Sequence, residues 1–204
     1  MVRFSSDGSA SVAESSPHPP RLQEIVSVLR GLLLWLLVAL ALRWLVLEPR
    51  WIPSGSMLPT LQLEDRVLVQ KLLPRLGIEP GVGAIVVFHP PAVLREAGYD
   101  PDAALIKRVV AVGGDAVEVR DGRLWRNGVA IDPDWTTAPM DYTLPPLRVP
   151  EGHLMVLGDN RNASLDSHLW GPLPYEGVIG TAVWRYWPLD RFGPLRFSPP
   201  DPRA

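Results

Sequence analysis

The chain has 204 residues, 47% of them hydrophobic and 21% charged, with a formal net charge of −2. That length holds one ordinary domain plus a tail or anchor, and the composition supports a packed core. With no basic block and no cysteine, the chain lacks the electrostatic footprint of a nucleic-acid binder and excludes disulfides, thiolate metal sites and a cysteine nucleophile.

The N-terminal stretch, residues 1–24, is rich in Ser and Pro, with SSPHPP at 15–20, and is predicted to be a disordered tail because it cannot bury enough apolar surface. An apolar run follows, IVSVLRGLLLWLLVALALRWLVL at 25–47. At ~1.5 Å per residue it reaches across a hydrocarbon core of about 30 Å, so residues 25–48 are predicted to be a transmembrane anchor. Arg30 and Arg43 near its ends can snorkel, and Trp35, Trp44 and Trp51 offer interfacial anchors. Ala39-Leu40-Ala41 also resembles the small-x-small site of a cleaved leader, but the apolar run continues past it through Trp44–Leu47. Arg3, Arg21 and Arg30 precede the span, and the positive-inside rule then puts the N-terminus in the cytoplasm and residues 49–204 outside; Arg43 and Arg50 pull the other way.

Directly after the span comes Ile52-Pro53-Ser54-Gly55-Ser56-Met57-Leu58-Pro59-Thr60-Leu61. Two prolines stiffen the chain around Ser56, and Gly55 lets another backbone approach closely. The segment suits a nucleophile with an adjacent backbone donor, or simply a turn after a membrane helix. It lacks the G-x-S-x-G spacing of the hydrolase elbow.

Short β signals then dominate: 65–71, 84–89, 105–112, 115–120, 123–127, 153–158 and 178–187. Asp121-Gly122 marks a hairpin turn and Gly113-Gly114 another. Residues 90–104 and 132–150 read as surface loops. The fold class is therefore mostly β, a barrel or double sheet preceded by one N-terminal transmembrane helix.

Only two of the 20 basic residues are lysines, Lys71 and Lys107. Lys107 sits in Leu105-Ile106-Lys107-Arg108-Val109-Val110-Ala111-Val112-Gly113-Gly114-Asp115, among apolar and β-branched neighbours. Burial would lower its pKa and make it a general base, which an arginine cannot be. The competing reading is an edge lysine that discourages aggregation. By alternation Lys107 and Arg108 point to opposite faces, so Arg108 is free to meet a carboxylate. The last dense polar segment, Gly158-Asp159-Asn160-Arg161-Asn162-Ala163-Ser164-Leu165-Asp166-Ser167-His168-Leu169-Trp170-Gly171, caps a turn or supports a site. It has no EF-hand pattern, and His18, His89, His153 and His168 show no metal-ligand spacing. No metal or cofactor is expected.

Taken in order after an N-terminal span, four motifs resemble those of bacterial type I signal peptidases. They are S-G-S-M-x-P-T-L at 54–61, D-R-V-L-V at 65–69, K-R-V-V-A-V-G-G-D at 107–115 and G-D-N-R-N-x-S-x-D-S-x-x-x-G at 158–171. The resemblance covers most of residues 50–175. It implies a membrane-anchored serine endopeptidase that removes signal peptides from exported preproteins, with Ser56 as nucleophile and Lys107 as base. It further implies an oxyanion hole from the Ser56 N–H and the Ser54 hydroxyl, and Ser164 orienting the Lys107 amine. Asp166 and Arg108 would form a supporting ion pair. Ile52, Met57 and Ile106 would lie near shallow pockets that accept small side chains at the −1 and −3 positions of an extended substrate. Lysine rather than histidine at the base position puts the chain on the bacterial side of the family. His168 departs from the arginine frequent there, and Arg108 is then the expected partner of Asp166. The expected surroundings are the lipid bilayer of a bacterial plasma membrane and preproteins, with no nucleic acid. Two rivals remain at this point: a membrane-tethered β-domain that binds extended peptides without cutting them, and a self-cleaving Ser-Lys repressor-type domain.

Overall fold

A computed structural model of the chain describes residues 22–131 and 138–195. Most of the expected disordered tail, residues 1–21, and the start of the expected 132–150 loop lie outside the described residues.

The first unit is helical. Helix α1, Leu22–Val46, contains the window Gln23–Ala41 with a mean hydropathy of 2.1, none of it buried by the other described residues. Val28, Leu29 and the unbroken run Leu32–Leu37 are all exposed, so the helix is apolar on every face. A helix with no polar face gains nothing from lying on a water-facing surface. Its 25 residues reach roughly 37 Å at 1.5 Å each.

The second unit, from residue 41 onward, is built from two antiparallel sheets. Its strands are β1 (Leu47–Trp51), β2 (Arg66–Gln70), β3 (Ile85–Phe88), β4 (Leu105–Val112), β5 (Ala116–Arg120), β6 (Arg123–Arg126), β7 (Val129–Ile131), β8 (Leu144–Arg148), β9 (His153–Leu157), β10 (Leu173–Pro174), β11 (Val178–Trp187) and β12 (Gly193–Pro194). The larger sheet has the order β1-β2-β11-β3-β4-β9-β10, with β12 on β11. The smaller runs β7-β6-β5-β8. Short helical turns α2 (Leu72–Arg75), α3 (Ala92–Glu96) and α4 (Ser167–Trp170) connect them. The architecture is the mostly β double sheet expected from the spacing of short apolar runs.

Strand β4 shows why the site forms where it does. Its residues Ile106–Ala111 are all buried, because both faces are covered. On one side Ile106 packs with Ile52, Met57, Leu61, Val67, Val69, Ile85 and Val87. Val109 packs with Val86, Phe88 and Val156, and Val110 with the small-sheet residues Val117, Val119 and Leu124. Asp121 (φ 52°) and Gly122 (φ 71°) make the left-handed turn of the β5–β6 hairpin. At Gly180 in β11 a side chain would strike Val69 and the Gln70 backbone, so only glycine lets β11 lie against β2.

Three expectations change. The helix stops at Val46 and Leu47–Trp51 pairs with β2, so the β body begins two residues earlier than the expected 49. Pro49 is tolerated because β1 is an edge strand, and Glu48 gains ion pairs with Arg50 and with Lys71, the latter at 2.7 Å. The expected 132–150 loop contains β8, which pairs with β5; its Pro145-Pro146 hides a strand that survives at the sheet edge. The expected 90–104 loop contains α3.

Candidate active site

Ser56 lies in a single 3-10 turn, Gly55–Met57, entered from an extended Ser54. The turn is nailed down by its own apolar residues: Met57 and Leu61 are wholly buried in the core under it. A second segment clamps it from outside. The Asn160 N–H donates to the Ser56 carbonyl at 3.1 Å and the Asn160 side-chain amide to the Gly55 carbonyl at 3.2 Å. The hydroxyl of Ser56 is thus carried on a turn fixed on two sides.

Lys107 reaches this hydroxyl across 51 positions of sequence. Its Nζ donates to Ser56 Oγ at 2.8 Å, and the side chain is 4% exposed. Burial lowers the amine from 10.5 to about 8, while the negative charges of Asp166 and Asp159 work in the opposite direction. Desolvation wins, and the amine is largely neutral at mildly alkaline pH. The Ser54 hydroxyl stands 3.3 Å from Ser56 Oγ.

Behind the pair lies a buried ionic layer, and here the expected partners change. Arg108 is gripped by Asp159, with Nε to Oδ1 at 2.8 Å and Nη2 to Oδ2 at 2.7 Å, instead of by Asp166. Arg108 Nη1 also donates to the Gly83 carbonyl, and Nη2 to Thr60 Oγ1 at 3.4 Å. Asp166 turns the other way: it accepts the Gly158 N–H at 2.8 Å and the His168 ring at 2.7 Å. The reason is positional. Asp159 lies two residues past the end of β9, whose Leu157 pairs with Arg108 in β4, so its carboxylate arrives alongside the guanidinium. Asp166 instead caps α4 by accepting the His168 N–H.

Ser164, expected to orient the amine, has a buried hydroxyl without a hydrogen-bond partner among the described residues. It nonetheless packs on the same spot: a side chain at Gly158 would run into Ser164 Oγ and the Ser56 carbonyl. Ile52 and Met57 are core residues beneath the turn, and Ile106, 8% exposed, joins them, so all three shape the floor of the site from inside. Sequence reasoning missed Asp159 and Asn160 as site residues, although the Gly-Asp-Asn after an apolar strand was the available signal. It also missed Thr60 and Tyr142. Tyr142 stacks on His168 with ring centroids 4.0 Å apart, and nothing in its local sequence announces this. Among the described residues no three His, Cys, Asp or Glu side chains converge as a metal site.

Chemically, the arrangement can do one thing well: hold a primary hydroxyl against a desolvated amine on a rigid turn. The chain is also similar to known proteins along most of its length. The family described as signal peptidase, peptidase S26, matches residues 25–187. A probable signal peptidase I-1 of Synechocystis sp. is 46% identical over 182 residues, 89% of this chain and 92% of the relative. A signal peptidase I of Leptolyngbya laminosa is 38% identical over 198 residues, 94% of this chain and 97% of the relative. A crystal structure of a signal peptidase I from Enterococcus faecalis matches 50% of this chain and 96% of that one, at 29% identity and a TM-score of 0.40.

Proposed function

The chain belongs to the signal peptidase family, peptidase S26, and we propose that it removes signal peptides from exported preproteins by acyl transfer through Ser56 and Lys107. The observation that carries this reading is the 2.8 Å contact between Lys107 Nζ and Ser56 Oγ, made by an amine lowered to about 8.

Neutral Lys107 takes the Ser56 proton as Oγ attacks the scissile carbonyl. The developing oxyanion is met by the Ser56 N–H and the Ser54 hydroxyl. The Lys107 ammonium then returns its proton to the leaving amine. The acyl-enzyme is resolved by water, activated by the same amine, now neutral again. Ser164 packs against Gly158 beside the Ser56 carbonyl and so supports the turn.

The substrate binds as an extended strand beside Leu105–Lys107. Supporting this, β9 pairs with β4 only from Arg108 onward, which leaves the preceding edge without a strand on that side among the described residues. Main-chain hydrogen bonds hold any sequence there. The apolar floor of Ile52, Met57 and Ile106 leaves little depth, which favours small side chains at −1 and −3. Helix α1 crosses the plasma membrane with its N-terminus in the cytoplasm and holds the β body on the outer side.

The test is cleavage of a preprotein by the full chain. Ser56→Ala and Lys107→Arg each lower kcat/KM on the order of 10⁴-fold or more, the second because a guanidinium keeps its proton. Retained activity in either variant removes that residue from the chemistry.

A further inference from the structure

Ile52, directly after β1, and Ile106, in β4, share one core cluster although β2, β11 and β3 stand between β1 and β4 in the sheet order. The large sheet therefore curls until these two strands face each other. The run of antiparallel pairings makes β1 and β4 parallel, β1 leading toward Ser56 and β4 toward Lys107. Along β1, Pro49 and Trp51 are exposed, while Glu48 and Arg50 turn to the inner side that Ile52 continues. At the end where β1 begins, the second unit holds a cavity of about 570 Å³. Its charged lining is Glu48 and Arg50 from β1, Lys71 just after β2, Arg75 from α2, His89 just after β3, and Glu176. Ile179 also lines it and packs against the cluster of Ile52 and Ile106, which joins the cavity to the floor of the site.

The charges in this lining do not cancel. Glu48 is shared between Arg50 and Lys71, with Lys71 Nζ at 2.7 Å. Burial pushes the Glu48 carboxyl up, but the two cations outweigh burial and hold it below its ordinary value, so it stays ionised. One carboxylate thus faces two cations, and Arg75 and Glu176 add one charge of each sign. Leaving His89 aside, an excess of positive charge remains, concentrated at Arg50 and Lys71.

We propose that this cavity is the subsite for the side chain at −5 of the preprotein, and that it selects a carboxylate there against an ammonium. This rests on the reading of Ser56 and Lys107 as nucleophile and base, with the −1 and −3 side chains over Ile52, Met57 and Ile106. A substrate strand placed so, with its scissile bond at Ser56, runs back toward Glu48, parallel to β1 and β4. In an extended strand the −1, −3 and −5 side chains share a face, and −5 lies about 7 Å beyond −3. Arg50 stands the same two residues before Ile52. The −4 side chain points away from the cavity. The volume admits a long side chain as readily as a short one, so charge decides. A carboxylate at −5 meets Arg50 and Lys71, whose two charges Glu48 only half matches; an ammonium adds to the excess.

The experiment measures kcat/KM for cleavage by the full chain in detergent micelles of a preprotein with Ala at −1 and −3 and Glu, Ala or Lys at −5. The wild-type chain cleaves the Glu substrate about 10-fold better than the Lys substrate, with Ala between them. Arg50→Gln brings this ratio below about 3, and Arg50→Glu reverses it. A merely structural role for Arg50 would lower all three substrates alike. The same exchange at −4 changes kcat/KM by less than about 2-fold. Equal cleavage of the −5 Glu and Lys substrates by wild type overturns the proposal. So does an equal preference at −4, or a preference at −5 that survives both Arg50 variants. Ser56→Ala, assayed on the −5 Glu substrate, separates the two readings. If it still cleaves, the reading of Ser56 as nucleophile falls. If it is inactive while wild type ignores the charge at −5, only the subsite falls.

Discussion

At Lys107 desolvation competes with two nearby carboxylates. In the proposed chemistry the amine must be neutral to take the Ser56 proton, and burial brings it to about 8. The rate of preprotein cleavage should therefore climb from acid toward alkaline pH, with its acid limb near 8, read from kcat/KM across pH 6 to 10. The same shift has a thermodynamic face. Between about 8 and 10.5 the unfolded chain binds a proton at this lysine that the folded chain does not, so stability rises with pH across that window. Below it, the buried ammonium costs about 3 kcal/mol. Lys107→Met should raise the unfolding temperature at pH 7 and flatten the alkaline gain, as followed by thermal unfolding at several pH values. An unchanged pH profile of stability in that variant would mean that the amine is solvated in the folded protein.

At the scale of elements, the turn carrying Ser56 is held by what packs behind it, and that is where substitutions should act at a distance. Asp159 and Arg108 have side chains 0% and 2% exposed. Asp159→Asn removes the carboxylate charge that faces the buried Arg108 guanidinium and should destabilise the protein by about 3–5 kcal/mol, measured by urea unfolding. Gly158→Ala pushes a methyl group into Ser164 Oγ and the Ser56 carbonyl. It should cut cleavage at least 10²-fold, by displacing the nucleophile through a residue that performs no chemistry. Full activity in Gly158→Ala would show that this backbone gives way easily. The elements themselves were unequally legible. Strands β4 and β11 stand where the apolar runs put them, residue for residue, because both are long and rich in β-branched or aromatic side chains. Strands β1 and β8 were hidden by Pro49 and Pro145-Pro146. Edge strands admit proline, and a local pattern does not say which strand will be an edge.

For the molecule as a whole, the exposed apolar helix and the β body make separate demands on their surroundings. None of the other described residues covers the window Gln23–Ala41, and its length and hydropathy fit a bilayer span. The full chain should sediment with membranes and stay there through an alkaline carbonate wash; recovery in the supernatant would refute the anchor. The β body depends on pairings of long range: Ser56 and Lys107 lie 51 positions apart, as do Arg108 and Asp159.

The sequence by itself determined the apolar helix, the succession of short strands, and the two residue types able to form a nucleophile and a neutral base. Each is written in local composition: the length of a Leu-rich run, an alternation of period two, a scarce lysine among β-branched neighbours. Tertiary structure alone decided which partner each carboxylate meets. That depends on where β9 ends against β4, which delivers Asp159 to Arg108 and leaves Asp166 to His168. It also decided that Met57 and Ile52 lie under the turn, and that Tyr142 covers a histidine 26 positions away. Register and packing set these contacts, and both are properties of the assembled sheets, with no counterpart in the spacing of residues along the chain.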